Sequence, residues 1–179
     1  MATQYAEPDV LVSTEWVAQH LQDPSIRLVE VDVDTSAYDR WHVPGAVGWN
    51  WSTQLCDTLI RDIIPVNKLE ELLGKSGISN DTPVILYGDN NNWFAAWAFW
   101  LLKVYGHKDV RLMNGGHKKW LAEGRELSTD TPKVQPKTYK AQPADFSIRA
   151  SLPAVQKAMQ DKRTMHVDVR SAQEFTGEI

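Results

Sequence analysis

Cysteine is nearly absent: Cys56 is the one thiol among 179 residues. A lone thiol excludes an internal disulfide and any cysteine-rich zinc site. Basic clusters are absent too, and the net charge is -4, which argues against nucleic acid as a partner. No apolar run approaches the roughly 20 residues needed to cross a bilayer. The opening MATQYAEPDV carries no charged n-region and no apolar h-region, so no membrane and no secretion are expected, and the default compartment is cytoplasmic. The histidines lack metal-ligand spacing such as H-x-x-x-H, and no dinucleotide fingerprint is present, so neither metal nor cofactor is expected. Tryptophan is missing from the last 59 residues, although eight lie between Trp16 and Trp120. The apolar bulk therefore belongs to the first two thirds, and the remainder reads as a different or incomplete unit.

What is present is organised around residues 81–124. Hydrophobic content of 42% and charged content of 23% suit a globular protein with one good core, or one and a fraction. Val84 to Tyr87 form a short unbroken apolar run, as expected of a strand buried on both faces of a parallel sheet. Gly88-Asp89-Asn90-Asn91-Asn92 is turn-forming. Trp93 to Leu102 is apolar almost all round, which predicts a buried helix that Gly106 stops. Val110 to Met113 is the next strand, broken by Asn114-Gly115-Gly116. A loop between a buried strand and a helix N-terminus gathers N–H groups and favours an anion.

Upstream, Ser13 can cap a helix that carries Val17 and Leu21 on one face. Residues 1–8 are a loose lead-in. Leu28 to Val33 is a valine-rich strand. Tyr38 to His42 can form a short helix, Val43-Pro44-Gly45-Ala46 a tight turn, and Val47 to Trp51 an extended piece. Residues 55–65 show no period and read as loop. Asn67 is expected to cap a helix with Leu69, Leu72 and Leu73 inside and Gly74 at its end. Alternating helices and strands with long connections predict an α/β fold with a central parallel sheet flanked by helices.

From Ser128 the character changes. Residues 128–146 hold three prolines and three lysines and read as an extended linker or a surface strap. Then the pattern restarts. Ser151 caps a helix with Val155 and Met159 spaced like Val17 and Leu21, and Met165 to Val169 repeats the texture of Val29 to Val33. This reads as an internal duplication. The predicted organisation is a first domain over 1–127, a linker over 128–146, and the first helix and strand of a second copy over 147–179. One helix and one strand cannot bury their apolar faces, so the rest of that copy is expected from further chain or from a separate docked polypeptide.

Three groups of residues carry a resemblance: Tyr38-x-x-Trp41-His42-Val43-Pro44-Gly45-Ala46, Val84-Ile85-Leu86-Tyr87-Gly88, and Asn114-Gly115-Gly116-x-x-x-Trp120-Leu121. In order and with this spacing they resemble the rhodanese family, specifically the two-domain sulfurtransferases that use thiosulfate or 3-mercaptopyruvate. The resemblance extends over the linker to Asp168-Val169-Arg170-Ser171-x-x-Glu174-Phe175. It implies a domain present twice, with an inactive N-terminal copy. The C-terminal copy then carries a loop cysteine that takes sulfane sulfur as a persulfide and passes it to a thiophilic acceptor such as cyanide. A helix N-terminus lowers a thiol pKa, which suits that loop. The implied partners are a small-molecule sulfur donor and acceptor, and the C-terminal half of the same protein.

In the family loop the helix alanine is the sixth residue after the nucleophile position. Counting back from Ala95 puts Asp89 at the nucleophile position. Aspartate forms no persulfide and opposes an anionic donor, so no catalytic residue is expected in this chain, and the cysteine is expected beyond residue 179. The resemblance also makes Trp93 and Phe94 candidate substrate-cleft wall residues; core packing is the plainer reading. Cys56, in an irregular segment, reads as an ordinary cysteine. Asp168 and Arg170 read as structural, and Glu174, where some relatives hold a substrate-binding arginine, as a surface helix residue. His42 is expected to brace the turn before Pro44, and His117 to be an exposed first-turn residue. A phosphatase on this fold needs Cys-x5-Arg, which Asp89 and Ala95 exclude here. A non-catalytic rhodanese-like interaction scaffold is the alternative function. Gly177 to Ile179 fall where relatives have a long exposed loop, so a nicked enzyme with docked pieces is a further expectation.

Overall fold

The computed structural model describes residues 5–60 and 62–179. Part of the lead-in expected over 1–8 therefore lies outside the described residues. The chain divides into two units, Met1–Asp145 and Phe146–Ile179.

The first unit holds a five-stranded sheet in the order β1-β5-β4-β2-β3, with every neighbouring pair parallel. Its strands are β1 (Leu11–Val12), β2 (Arg27–Asp32), β3 (Val47–Asn50), β4 (Val84–Tyr87) and β5 (Val110–Met113). The helices are α1 (Thr14–Gln19), α2 (Ser36–Arg40), α3 (Val66–Lys75), α4 (Trp93–Val104) and α5 (Gly116–Ala122). Successive strand residues point to opposite faces, and two apolar clusters result. Val29, Val31, Val84 and Leu86 pack with Leu69 and Leu73 of α3 and Ala95, Ala98 and Leu101 of α4. Leu28, Ile85, Tyr87 and Met113 pack with Val17 of α1 and Trp120 of α5. Burial on both sides explains why β4 reads as an unbroken apolar run, since all four of its residues are buried.

Several local expectations shift. Ser13 does cap α1, its Oγ accepting from Trp16 N at 3.0 Å. The short helix near Tyr38 begins earlier, at Ser36, and ends at Arg40. Pro65, not Asn67, precedes α3, and no side chain caps it. A π-helical turn, Trp51–Leu55, runs into the segment 55–65 read as loop, and that segment is pinched by a bridge between Cys56 and Ile63. β1 has only two residues, too few to show a period. α4 is not buried all round. Ala95, Ala98, Leu101, Leu102 and Val104 are covered, whereas Trp93 is 69% exposed. Small alanines face the sheet, so the larger aromatics ride toward the outside.

Residues 128–145 behave as a strap bonded along the first unit. Ser128 and His42 exchange backbone hydrogen bonds of 2.8 and 2.9 Å. Lys137 N donates to Gly74 O at 3.0 Å, Gln142 N to Tyr105 O at 3.1 Å and Asp145 N to Val104 O at 2.8 Å. Tyr139 is buried and hydrogen-bonded to His107 Nδ1 at 3.2 Å.

In the second unit, Ser151 caps α6 (Leu152–Ala158) and Ser171 caps α7 (Ala172–Thr176). The strand expected at residues 165–169 forms no ladder: the stretch is exposed and unpaired. A strand exists only with a partner to take its N–H and C=O groups, and the second unit supplies none.

Candidate functional site

In this strand order the chain leaves β2 toward β3 and leaves β4 in the opposite direction toward β5. Connections that diverge at adjacent parallel strands open a crevice at their carboxyl ends, the usual ligand position of such sheets. Here β2 ends at Asp32, and the loop Gly88–Asn92 follows β4.

That loop is wound in an unusual way. Asn90, Asn91 and Asn92 have φ of 44°, 56° and 65°. Asparagine is the side chain best tolerated there after glycine. Asn92 holds the loop from both sides: its Oδ1 accepts from Gly88 N at 3.0 Å, and its Nδ2 donates to Met113 O at 2.7 Å. Asp89 N donates to Asp32 Oδ1 at 2.8 Å, and Asn92 N donates to Asp89 O at 2.8 Å. The amides of Gly88, Asp89 and Asn92 are thus engaged within the protein, so the anion cradle expected of a strand-to-helix loop is largely closed. A cysteine loop needs those donors free to hold a thiolate.

Asp89 lines a pocket of about 350 Å³ with Trp41, Asn90, Asn91, His117 and Lys118. Trp93 and Phe94 are not among its lining residues. Phe94 instead packs on Trp51, ring centroids 5.1 Å apart, and Trp93 stacks on Phe94 at 6.0 Å. Trp97 continues the cluster edge-on to Trp51 at 5.8 Å. The structure therefore separates Asp89 from the aromatic group and places the exposed Trp93 ring at the end of an aromatic ladder.

His117 is not the exposed first-turn residue expected from its position after Gly116. It is 9% exposed and stacked on Trp41 at 3.6 Å. The reason is the Gly115–Gly116 bend, with φ of 93° and 53°, which turns α5 back over the sheet end. His117 Nε2 lies 4.0 Å from Glu30 Oε1. Glu30, Asp32 and Tyr87 form a buried polar group beneath the loop. Tyr87 Oη accepts from Val43 N at 3.0 Å and so ties the Pro44 turn to β4. Burial, and next the Glu30 carboxyl beside it, push Asp32 up to about 9. Both Glu30 oxygens, Asp32 Oδ2 and His117 Nε2 lack a hydrogen-bond partner among the described residues. The sequence hid this group, because carboxylates in Val-Glu-Val-Asp-Val look like the polar half of an alternating strand. Parallel pairing on both sides, which buries every residue from Leu28 to Asp32, was the missing information.

His42 does brace its turn, its Nδ1 2.9 Å from Tyr38 O and its Nε2 3.1 Å from Asp130 O. Cys56 sits away from the loop, in a pocket with Lys68 and Leu72, and burial pushes its thiol up, opposite to an activated nucleophile. In the second unit Arg170 clasps Asp168, with Nη2 to Oδ2 at 2.6 Å. That pairing holds the Asp168 carboxyl down at about 2. Glu174 completes a capping box with Ser171, a signal legible as Ser-x-x-Glu. Among the described residues no cluster of His, Cys, Asp and Glu could hold a metal ion.

Comparison with known proteins agrees with this architecture. The chain is 50% identical over 179 residues to the sulfur carrier protein TtuD of Thermus thermophilus, covering 98% of this chain and 62% of that protein. It is 49% identical to a putative thiosulfate sulfurtransferase of Haloferax volcanii, covering 99% and 63%. The chain thus spans about three fifths of the length of these curated relatives. Among solved structures, SseA from Escherichia coli, described as a 3-mercaptopyruvate sulfotransferase, matches with a TM-score of 0.78 at 22% identity, covering 95% of this chain and 69% of that one. EanB in complex with hercynine matches with a TM-score of 0.83 at 22% identity, covering 96% and 45%. These two likenesses concern the fold. The model of the rhodanese-like domain matches residues 13–123, the span from the α1 cap to the end of α5, and the chain belongs to the rhodanese-like family.

Proposed function

We propose that this chain is the N-terminal part of a two-domain sulfurtransferase whose nucleophile lies outside these 179 residues. The observation that carries the reading is the loop after β4: it holds Asp89 where the family resemblance implies the nucleophile, and it spends its amides internally. The relatives' names, which concern sulfur carriage and thiosulfate sulfurtransfer, supply the reaction class. In that reaction a thiolate attacks the outer sulfur of thiosulfate, breaking the S–S bond and releasing sulfite, or the thiol sulfur of 3-mercaptopyruvate, breaking the C–S bond and releasing pyruvate enolate, which takes up a proton. The resulting persulfide yields its outer sulfur to an acceptor such as cyanide, and the thiolate returns. This chain's part is a rigid α/β body that offers the Trp93 and Phe94 aromatic ladder as one wall of the cleft and docks the C-terminal half, as continuous chain or separate polypeptide.

A non-catalytic scaffold is the second reading, favoured by the same closed loop. One experiment separates the two. Chain extended to the length of the relatives is incubated with thiosulfate or 3-mercaptopyruvate and assayed for sulfur transfer to cyanide beside the 179-residue chain. The expected result is transfer by the longer protein and none by the shorter. Inactivity of both supports the scaffold. A persulfide on Cys56, seen as one added sulfur in the intact mass, overturns the assignment of the nucleophile.

A further inference from the structure

A second pocket lies at the opposite end of the sheet from Asp89, where β2 begins. It encloses about 350 Å³ and is lined by His20, Asp23, Arg27, Lys133, Gln135 and Lys137, among others. Three parts of the chain build it. The segment from the end of α1 to the start of β2 supplies His20, Asp23 and Arg27, the turn before β3 supplies Gly45, and the strap supplies Lys133, Gln135 and Lys137. The charges do not balance. Arg27, Lys133 and Lys137 stand against Asp23 alone, in a protein whose net charge is -4. Asp23 is already occupied, since its Oδ1 accepts from Ser25 N at 2.8 Å and from Ser25 Oγ at 2.6 Å.

Arg27 is the least exposed of the three cations. Its guanidinium is half-buried and has no carboxylate within ion-pair distance among the described residues. Its Nε is fully buried and without a hydrogen-bond partner. Burial alone pulls its pKa down. Buried cations in proteins are ordinarily paired, because an uncompensated charge away from water is costly. Lys133 and Lys137 are likewise outside every ion pair described, and Lys137 Nζ reaches Thr82 Oγ1 at 3.4 Å. A pocket lined by one guanidinium and two lysines suits a tetrahedral oxyanion, which takes two parallel N–H bonds from arginine and point charges from lysine.

We propose that the pocket formed by Arg27, Lys133 and Lys137 is a binding site for a small tetrahedral oxyanion, sulfate or phosphate. Two of its three cations belong to the strap, so a bound anion cross-links residues 133–137 to the start of β2. The site is independent of the sulfurtransferase reading, since it lies at the amino ends of strands whose carboxyl ends hold the degenerate loop.

The test is isothermal titration of the 179-residue chain with sodium sulfate, and separately sodium phosphate, in a constant background of about 0.15 M chloride to hold screening fixed. A saturable one-site heat is expected with either anion. Arg27→Met is expected to weaken binding about tenfold or more, and the exposed Lys133→Gln about threefold or more. Circular dichroism checks that each variant is folded, and Lys133→Gln decides if Arg27→Met is not. Lys118→Gln, beside Asp89, is expected to leave the affinity unchanged. Non-saturating heats with both anions overturn the proposal. So does an affinity that Lys133→Gln and Arg27→Met leave intact, or one that only Lys118→Gln removes, which would put the anion at the other end of the sheet.

Discussion

Asp32 accepts the Asp89 amide on one oxygen while its other oxygen is buried without a partner. Because burial raises its pKa to about 9, folding captures a proton that the unfolded carboxyl releases above about 3.9. Between those values the folded state binds more protons than the unfolded one, so stability falls as pH rises, by at most about 1.4 kcal/mol per pH unit, and the loss is complete above about pH 9. Asn at this position keeps the acceptor and carries no charge. Asp32→Asn is therefore expected to be more stable than the parent by about 1–3 kcal/mol at pH 8 and to show no gain at pH 4. Urea unfolding at the two pH values checks this, and an equal effect at both would contradict the shift. The three left-handed asparagines are the other residue-scale device. Sequence alone marked them as turn formers, and it could count Asp89 into the nucleophile position. It could not show that Asn92 clamps Gly88 and Met113, because those contacts exist only once β4 and β5 lie side by side.

At the scale of elements, the strap depends on one close approach. Lys137 O lies 2.7 Å from where a Cβ on Gly74 would sit, and Lys137 N donates to Gly74 O. Alanine in a helix is ordinarily better than glycine by about 1 kcal/mol. Here the clash is with backbone and outweighs that gain. Gly74→Ala is expected to destabilise the protein by about 1–2 kcal/mol and to speed proteolysis within residues 128–145. Thermal unfolding and limited digestion read the two effects, and a more stable, equally resistant variant would show that the strap gives way freely. Elements differ in how far the sequence disclosed them. β2, β4, β5 and α3 were legible because their periodicity reflects burial of long runs. β1 was not, having two residues. The open aromatic side of α4 was hidden because alanines and tryptophans score alike as apolar, although only the alanines fit against the sheet. The strap was legible as extended, but which of its residues touch the domain depends on Gly74, Asn80 and Tyr105, all distant in sequence.

At the scale of the molecule the two units differ in how their backbones are satisfied. β4 is paired on both sides, by β2 and by β5. Residues 165–169 have no ladder and lie open to solvent. Amide hydrogen exchange is expected to show Val84–Tyr87 protected close to the global stability and Met165–Val169 exchanging near the unprotected rate. Comparable protection in both stretches would mean that the second unit finds a pairing partner in solution. The repeat read from the sequence, Val29 to Val33 against Met165 to Val169, thus joins two segments of similar composition and different fate. One is flanked by β3 and β4, and the other lacks neighbours. Texture reports what a segment can become, whereas the partners that decide it come from elsewhere in the chain.

The strand order has a temporal consequence. Leu11 pairs with Leu112, so β1 leaves the ribosome about a hundred residues before the strand it pairs with among the described residues. The strap that latches the domain ends at Asp145, later still. During synthesis β2 and β3 can pair early, but β1 must wait while β4, α4 and β5 emerge. Long-range parallel pairing of this kind slows folding and leaves apolar segments uncovered meanwhile. A nascent chain of this domain is accordingly most vulnerable to misassociation between the emergence of α4, rich in tryptophan, and the arrival of β5. Keeping β1 to two residues limits how much unpaired edge is on offer during that wait.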